Sequence, residues 1–307
     1  VEEPLGVLVM AYGGPDSLEE VEAYLLDVRG HRPTPPEIVE EVRARYAAVG
    51  GRSPIRERTE AQARALEDAL HRDGSRFLAS VGMRHWKPTI AEALERLVAS
   101  GVRRAVGLVL APHYSRMSVE LYFEKLGEAR APIEVAPIRE WHRLPGFVEA
   151  IAQRVRSALG RFPAEGRDGV PVIFTAHSLP ERIREWDDPY PAQLRGSVEA
   201  ILERLGPRPH RFAYQSTGKR PEPWLGPDVA EVLDALAREG HRDVLVAPIG
   251  FTSEHLEVLY DVDLELRGRA RSLGVRLERI EMANEHPAMI EGLAGLVRST
   301  AEARGWR

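Results

Sequence analysis

The 307-residue sequence predicts an α/β fold of two similar domains, each built on a four-stranded parallel sheet flanked by helices. The first observation is that β-branched runs alternate with segments of helical period, which is typical of parallel sheets covered on both faces. The second is an internal repeat: VLVMAYGGP (7–15) parallels VIFTAHSLP (172–180), and 91–112 parallels 230–248. The predicted strands occupy 5–12, 76–82, 105–112, 133–138, 171–177, 211–216, 243–250 and 275–280. We therefore expect one domain over 1–142 and a second over 143–284.

Composition excludes several classes of protein. A hydrophobic fraction of 43% with 29% charged residues is the balance of a globular protein, and a net charge of -5 disfavours a nucleic-acid partner. No run approaches the roughly 18 apolar residues of a membrane span. The absence of cysteine excludes disulfides, a thiolate nucleophile and a cysteine-ligated iron–sulfur cluster. With an acidic first segment that lacks the features of a signal peptide, these observations favour a cytoplasmic protein.

The repeat aligns two residues that could carry chemistry. Tyr12 and His177 both lie at the carboxyl end of the first strand of their half, in the turn that enters a helix. In open parallel sheets, ligands collect at this edge. Two domains that face each other would present these residues from opposite walls of one cleft. A neutral imidazole at that place can serve as a metal ligand or a general base, although a lone histidine is often structural.

The N-terminal half has a longer connection between its first two strands. The additional residues, at about 20–60, begin at the ligand-binding edge of the sheet and could form a lip over the cleft. Arginines there would suit a ligand that carries carboxylates, because the guanidinium group pairs with them in bidentate fashion. The alternative is a solvated helical hairpin, with Glu37, Glu40 and Glu41 as intrahelical partners. Beside Ser53, the segment carries Arg29, Arg32, Arg43, Arg45 and Arg52.

A carboxylate series follows the third strand of the second half. If Ser253 caps a helix, Glu257, Asp261 and Glu265 fall on one stripe at i, i+4 and i+8. Like charges at this spacing repel, and Arg269 could offset Glu265 on a solvated face. The functional alternative is a ladder for a divalent cation or protons. Histidine and glutamate without thiolate suit a borderline metal such as Fe²⁺.

Other polar and aromatic groups lie on loops at the same sheet edge. The segment 214–229 carries Trp224 among glycines and prolines, either as a packing residue or as the floor for a flat ligand. Arg84 and His85 follow the second strand, and residues 112–115, Pro-His-Tyr-Ser, follow the third. Packing roles explain these groups as readily as binding does.

Three long motifs resemble the signature segments of ferrochelatases: FTAHSLPERI (174–183), YQSTGKRPEPWLGPDV (214–229) and GFTSEHLEVLYD (250–261). VMAYGGP (9–15) is similar to their first strand and turn. The resemblance implies the chelatase-like fold of two Rossmann-like domains with a porphyrin cleft between them. It also implies that the segment 285–307 is a helix that packs back on the first domain. By the same resemblance, His177 and Glu257 handle iron and pyrrole protons, with Asp261 and Glu265 as the supply ladder.

The resemblance also implies the substrates. Tyrosine at position 12 is typical of coproporphyrin III ferrochelatases, so we expect insertion of Fe²⁺ into coproporphyrin III to give coproheme and two protons. No resident cofactor and no iron–sulfur cluster are expected, and contacts with neighbouring haem-pathway enzymes would be transient. A protoporphyrin IX enzyme, a cobalt chelatase acting on sirohydrochlorin and a non-catalytic haem-binding protein remain as alternatives. The expected porphyrin-binding residues are Tyr12, Arg29, Arg45, Tyr46, Ser53, Tyr122 and Trp224.

Overall fold

The computed structural model describes residues 3–72, 74, 76–218 and 221–306. Within this part of the chain, strands form two four-stranded sheets, both parallel throughout, in the orders β2-β1-β3-β4 and β6-β5-β7-β8. The strands are β1 (Leu5–Ala11), β2 (Phe77–Met83), β3 (Arg104–Val109), β4 (Glu134–Ile138), β5 (Val172–His177), β6 (His210–Gln215), β7 (Asp243–Pro248) and β8 (Arg276–Arg279). The predicted repeat of one four-stranded unit is confirmed, because both sheets have the same strand order.

Helices connect the strands and cover the sheets. Every residue of β1 is buried, as expected for a central parallel strand with both faces covered. The α-helices are α1 (Val21–Val28), α2 (Pro36–Ala48), α3 (Ile55–His71), α4 (Ile90–Ala99), α5 (Glu120–Glu128), α6 (Pro145–Leu159), α7 (Tyr190–Leu205), α8 (Val229–Arg238), α9 (Arg267–Ser272) and α10 (Pro287–Ala303). Short 3₁₀ helices span Arg167–Gly169 and Glu181–Trp186, and a π-helix spans Glu257–Leu266. In the described part of the chain, no helix combines the length and apolar character needed to span a membrane.

The repeat extends to the way that helices begin. Thr89 caps α4 and Asp228 caps α8, each in a capping box with a glutamate three residues later. These caps satisfy backbone N–H groups that the first turn leaves without partners. Gly101 and Gly240 follow the two helices with φ of 84° and 95°, a conformation that glycine adopts at little cost. Equivalent local signals therefore produce the same strand–helix–strand unit in both halves.

Long-range contacts hold the two halves together. The helix α10 packs on α6 and α3, and Arg298 Nη2 donates to the carbonyl oxygen of Ala69, 229 residues earlier, at 2.7 Å. Thr252 Oγ1 likewise donates to the carbonyl oxygen of Leu110 at 3.1 Å. Thr252 follows β7 and Leu110 follows β3, so the second bond joins the carboxyl ends of the two sheets. The division at residues 142 and 284 stays a prediction.

The contact between α6 and α10 depends on a glycine. A Cβ atom at Gly146 would lie 2.0 Å from the carbonyl oxygen of Ala288, so backbone would have to move. We expect Gly146→Ala to lower the free energy of unfolding by about 1–3 kcal/mol through overpacking. Chemical denaturation measures this change. Gly295→Ala in α10 is the control, because its Cβ would meet nothing within 4 Å. An equal effect of both substitutions would contradict the packing argument.

Candidate active site

A cavity of about 280 Å³ lies between the carboxyl ends of the two sheets. Tyr12 follows β1 and His177 ends β5, and both line it. Tyr12 keeps 40% of its surface exposed. The structure therefore brings together the two residues that the repeat aligns, at the sheet edge where parallel folds bind ligands. Glu257, Tyr122, Arg84, Met117 and Tyr190 are also among the lining residues.

The ring of His177 is oriented by backbone groups. Its Nδ1 lies within hydrogen-bonding distance of the carbonyl oxygen of Ser178, an acceptor, so Nδ1 carries the proton of this bond. The hydroxyl of Tyr190 donates to the carbonyl oxygen of His177 at 2.9 Å, and Ser178 Oγ donates to that of Leu225 at 2.8 Å. These bonds fix the turn after β5. They leave Nε2 of His177 as the nitrogen that can exchange a proton or bind a metal.

Glu257 lies between two imidazole rings. Its Oε1 is 3.3 Å from Nε2 of His177, and its Oε2 is 3.5 Å from Nε2 of His255. Burial alone would lower the pKa of His177, but the charge and hydrogen bond of Glu257 outweigh it and raise the pKa to about 9. Burial would likewise raise the pKa of Glu257, yet His177 and then His255 hold it well below its usual range. At neutral pH the unliganded pair is thus an imidazolium and a carboxylate.

The segment that carries Glu257 differs from the helix that the sequence predicts. It is a π-helix, a rare conformation that often occurs at functional sites, and it is preceded by Leu256 without a side-chain cap. The prediction that Ser253 caps it is wrong, because Ser253 lies upstream in a non-helical turn. The prediction that Arg269 offsets Glu265 is not supported either. Arg269 Nε instead donates to Asp234 Oδ1 at 2.7 Å.

Asp261 links this helix to the predicted lip. Ser216 Oγ donates to Asp261 Oδ2, and Nη1 of Arg45 lies 3.7 Å from Asp261 Oδ1. Burial raises the pKa of Asp261 to about 6, and the negative charges of Glu257 and Glu265 add to this rise. The hydrogen bond from Ser216 and the charge of Arg45 lower the pKa and so oppose it. The three carboxylates are thus close enough to interact, as the stripe predicts. Glu265 itself is exposed, so the series leads from the cavity toward solvent.

Arg84 and aromatic rings form the wall opposite His177. The guanidinium carbon of Arg84 lies 5.8 Å from the ring centre of Tyr12 and 5.5 Å from that of Tyr122. The ring of His85 is 4.7 Å from that of Tyr12, and its Nδ1 is 2.9 Å from Asp27 Oδ2. Although part of the Tyr12 ring is exposed, desolvation of its hydroxyl within the cleft raises the pKa of Tyr12 to about 12 against the charge of Arg84, so this phenol is neutral. The wall therefore offers flat aromatic surface together with one cation.

The other predicted porphyrin-binding residues lie outside the cavity lining. The guanidinium carbon of Arg45 lies 5.0 Å from the ring centre of Tyr260, and Arg45 forms an ion pair with Glu41 at 3.1 Å. Glu41 is one of the intrahelical partners expected if the lip is a solvated helical hairpin. Arg29 is exposed at the end of α1. No described residue forms an ion pair with its guanidinium group. The porphyrin contacts of both arginines stay predictions.

Contacts with neighbouring protein groups determine the positions of three further predicted residues, Tyr46, Ser53 and Trp224. Burial, followed by the charge of Glu257, raises the pKa of Tyr46, which is hydrogen-bonded to Tyr24. Ser53 is buried against Gly14, where a Cβ would lie 2.5 Å from that of Ser53. Trp224 packs on Gly218 and does not belong to the described cavity lining. Its role as the floor for a flat ligand also stays a prediction.

Two residues of the site were not predicted from the sequence. His255 contacts Glu257, and Tyr190 anchors His177. The signal for His255 was its position two residues before Glu257, whereas nothing local marks Tyr190. Across the residues that the structure describes, no group of three or more histidine, aspartate and glutamate side chains is arranged to hold a metal ion. The residues with donor groups that line the cavity include the predicted pair His177 and Glu257 together with His255.

Comparison with solved structures defines the class of fold. SirB from Bacillus subtilis matches with a TM-score of 0.58 over 98% of each chain at 12% identity. CbiX, described as the terminal enzyme of sirohaem biosynthesis in denitrifying bacteria, matches with a TM-score of 0.53 over 96% of this chain and 98% of that one, also at 12% identity. The fold is therefore that of the two-domain chelatases.

Sequence comparison is more specific than the fold. The family model described as Ferrochelatase matches residues 4–301. A protein of Herpetosiphon aurantiacus named Ferrochelatase is 43% identical over 95% of this chain and 97% of its own length. One of Geobacillus kaustophilus named Coproporphyrin III ferrochelatase is 39% identical over 97% and 96%. The chain belongs to the ferrochelatase family, lyases of haem biosynthesis that insert ferrous iron into a porphyrin.

Proposed function

We propose that this protein inserts Fe²⁺ into coproporphyrin III to give coproheme and two protons. The observation that carries the proposal is the placement of Tyr12 and of the His177–Glu257 pair on walls of one cavity between the two sheets. A flat macrocycle in this cavity would have a phenol on one face and an imidazole–carboxylate pair on the other. Iron and pyrrole protons could then be exchanged across one face of the ring.

The charge state of the pair suggests an order of events. In the unliganded protein, a proton lies between His177 and Glu257, because the pKa of His177 is raised to about 9. Fe²⁺ that binds Nε2 and the carboxylate takes the place of this proton, since both bind through the same lone pairs. When iron moves into the ring, the vacated groups can accept the two pyrrole protons. Asp261 and Glu265 would carry protons and incoming iron between the pair and solvent.

The choice of coproporphyrin III rests on Tyr12 and on relatives. Several relatives at about 39% identity, from Geobacillus and Listeria, carry the coproporphyrin III name, whereas the Herpetosiphon and Deinococcus radiodurans relatives are named Ferrochelatase alone. Arg84 adds a cation to the cavity wall that no described carboxylate neutralises. A tetracarboxylate gains more from uncompensated arginines than protoporphyrin, which has two carboxylates. The proposal includes no resident cofactor.

Anaerobic incubation tests this choice. We expect the protein with Fe²⁺ to convert coproporphyrin III at least about tenfold faster, by kcat/KM, than protoporphyrin IX. Such a ratio corresponds to about 1.4 kcal/mol, which one or two additional carboxylate contacts can supply. Absorbance follows the loss of free porphyrin and the gain of iron porphyrin. Equal kcat/KM for both porphyrins would contradict the coproporphyrin assignment.

Two further assays separate the alternative functions. Co²⁺ with sirohydrochlorin should give no turnover above the uncatalysed rate if the protein is an iron-inserting enzyme. Tight binding of porphyrin without consumption of Fe²⁺ would instead indicate a carrier. In the carrier case, the π-helix carboxylates would have no part in function.

A further inference from the structure

A second groove lies beside the active-site cavity, with a volume of about 420 Å³. Arg116, Met117 and Leu121 line it from the first half, and Arg182 and Trp186 line it from the second. Met117 lines both the groove and the cavity, so the two are neighbours. It is bounded by the segments that follow β3 and β5 and is thus at the mouth of the cleft.

The groove combines two guanidinium groups with apolar surface. The backbone N–H of Arg116 donates to Asp188 Oδ2 at 2.8 Å, which fixes the segment, while its side chain is exposed. No described residue forms an ion pair with the Arg116 guanidinium. Arg182 has Glu222 at 3.6 Å and lies 5.9 Å from the ring centre of Trp186. Trp186 keeps 38% of its surface exposed, so its ring offers apolar surface to a ligand.

We propose that this groove binds the porphyrin carboxylates that point out of the cleft, with Arg116 contributed by one half and Arg182 by the other. The inference rests on the proposed function. It follows from the shared lining residue Met117, since the carboxylates of a ring seated against Tyr12 and His177 would come within reach of a groove that adjoins the cavity. Guanidinium groups suit carboxylates geometrically, and Trp186 and Leu121 provide apolar surface for the methylene groups. Two halves that each supply one arginine would also favour the closed arrangement of the cleft.

Porphyrin binding without iron tests the inference. Titration of Arg116→Ala, Arg182→Ala and the double variant with coproporphyrin III, followed by quenching of tryptophan fluorescence, gives the dissociation constants. We expect about a fivefold weaker affinity for each arginine, the upper range for one solvent-exposed ion pair, and about 25-fold for both. The differences should shrink as salt is raised, because the contacts are exposed.

Arg184→Ala is the matched control. Arg184 lies in the same 3₁₀ helix and pairs with Glu181 at 3.3 Å, outside the groove lining. The Arg184→Ala substitution removes the same charge from the same segment. An unchanged affinity for coproporphyrin III would therefore show that the position of the arginine matters, not the net charge. If the double variant binds coproporphyrin III as tightly as the native protein, the inference is overturned while the proposed function stands. If the native protein binds no porphyrin at all, both are overturned.

Discussion

Replacing His177 with alanine is expected to lower iron insertion by about 100-fold or more, while the affinity for porphyrin changes by less than about twofold. The imidazole Nε2, which faces Glu257 and is not held by backbone, is the group available for proton or metal exchange, and a positioned acid–base group contributes about 10²–10⁴ in rate. Porphyrin affinity should persist because the aromatic wall at Tyr12 and Tyr122 is untouched.

Anaerobic single-turnover absorbance measures the rate, and fluorescence titration without iron measures affinity. His210→Ala is the control, since His210 begins the neighbouring strand β6, at the opposite end from the residues that face the cavity. A folded His177→Ala protein that inserts iron at the native rate would remove His177 from the mechanism. A large loss of porphyrin affinity would instead show that it acts mainly in substrate binding.

Glu257→Gln keeps the shape of the side chain and removes its charge. We expect the insertion rate to fall by about 100-fold or more, because the substitution removes one of the two donors and the acceptor for a pyrrole proton. The pKa of His177 should also fall from about 9. The sign follows because the charge and hydrogen bond of Glu257 are the largest effects that raise this pKa, whereas burial lowers it and only the smaller effects of Ser178 and Asp261 still raise it.

NMR titration of the His177 ring in the metal-free protein measures the second effect directly. Asp263→Asn is the matched control in the same π-helix, where Asp263 pairs with Arg279 at 2.9 Å. It should affect stability without altering the insertion rate or the His177 titration. An unchanged His177 pKa in Glu257→Gln would refute the electrostatic coupling, whatever the rate.

Much of the fold could be predicted because its signals are local. The hydrophobic pattern along the chain and the residues that end each element indicate the strands, and the internal repeat aligns Tyr12 with His177. The π-helix could not be predicted, since its hydrogen-bond pattern depends on packing around Glu257 rather than on local preference. The ion pair between Arg45 and Asp261 could not be predicted either, because residues on α2 and on the π-helix meet only in the folded chain. Sequence spacing therefore predicted that Tyr12, His177 and Glu257 meet at one cavity, but not their electrostatic partners.

The bond between Arg298 and Ala69 has a consequence for how the molecule forms. Contacts that join residues so far apart in sequence require closure of a very long loop before they contribute, which slows folding. The helix α10 packs both on α3 of the first half and on α6 of the second, so its packing couples the two halves. We expect denaturant to unfold both halves in one cooperative transition, with the catalytic cleft lost together with the core rather than ahead of it.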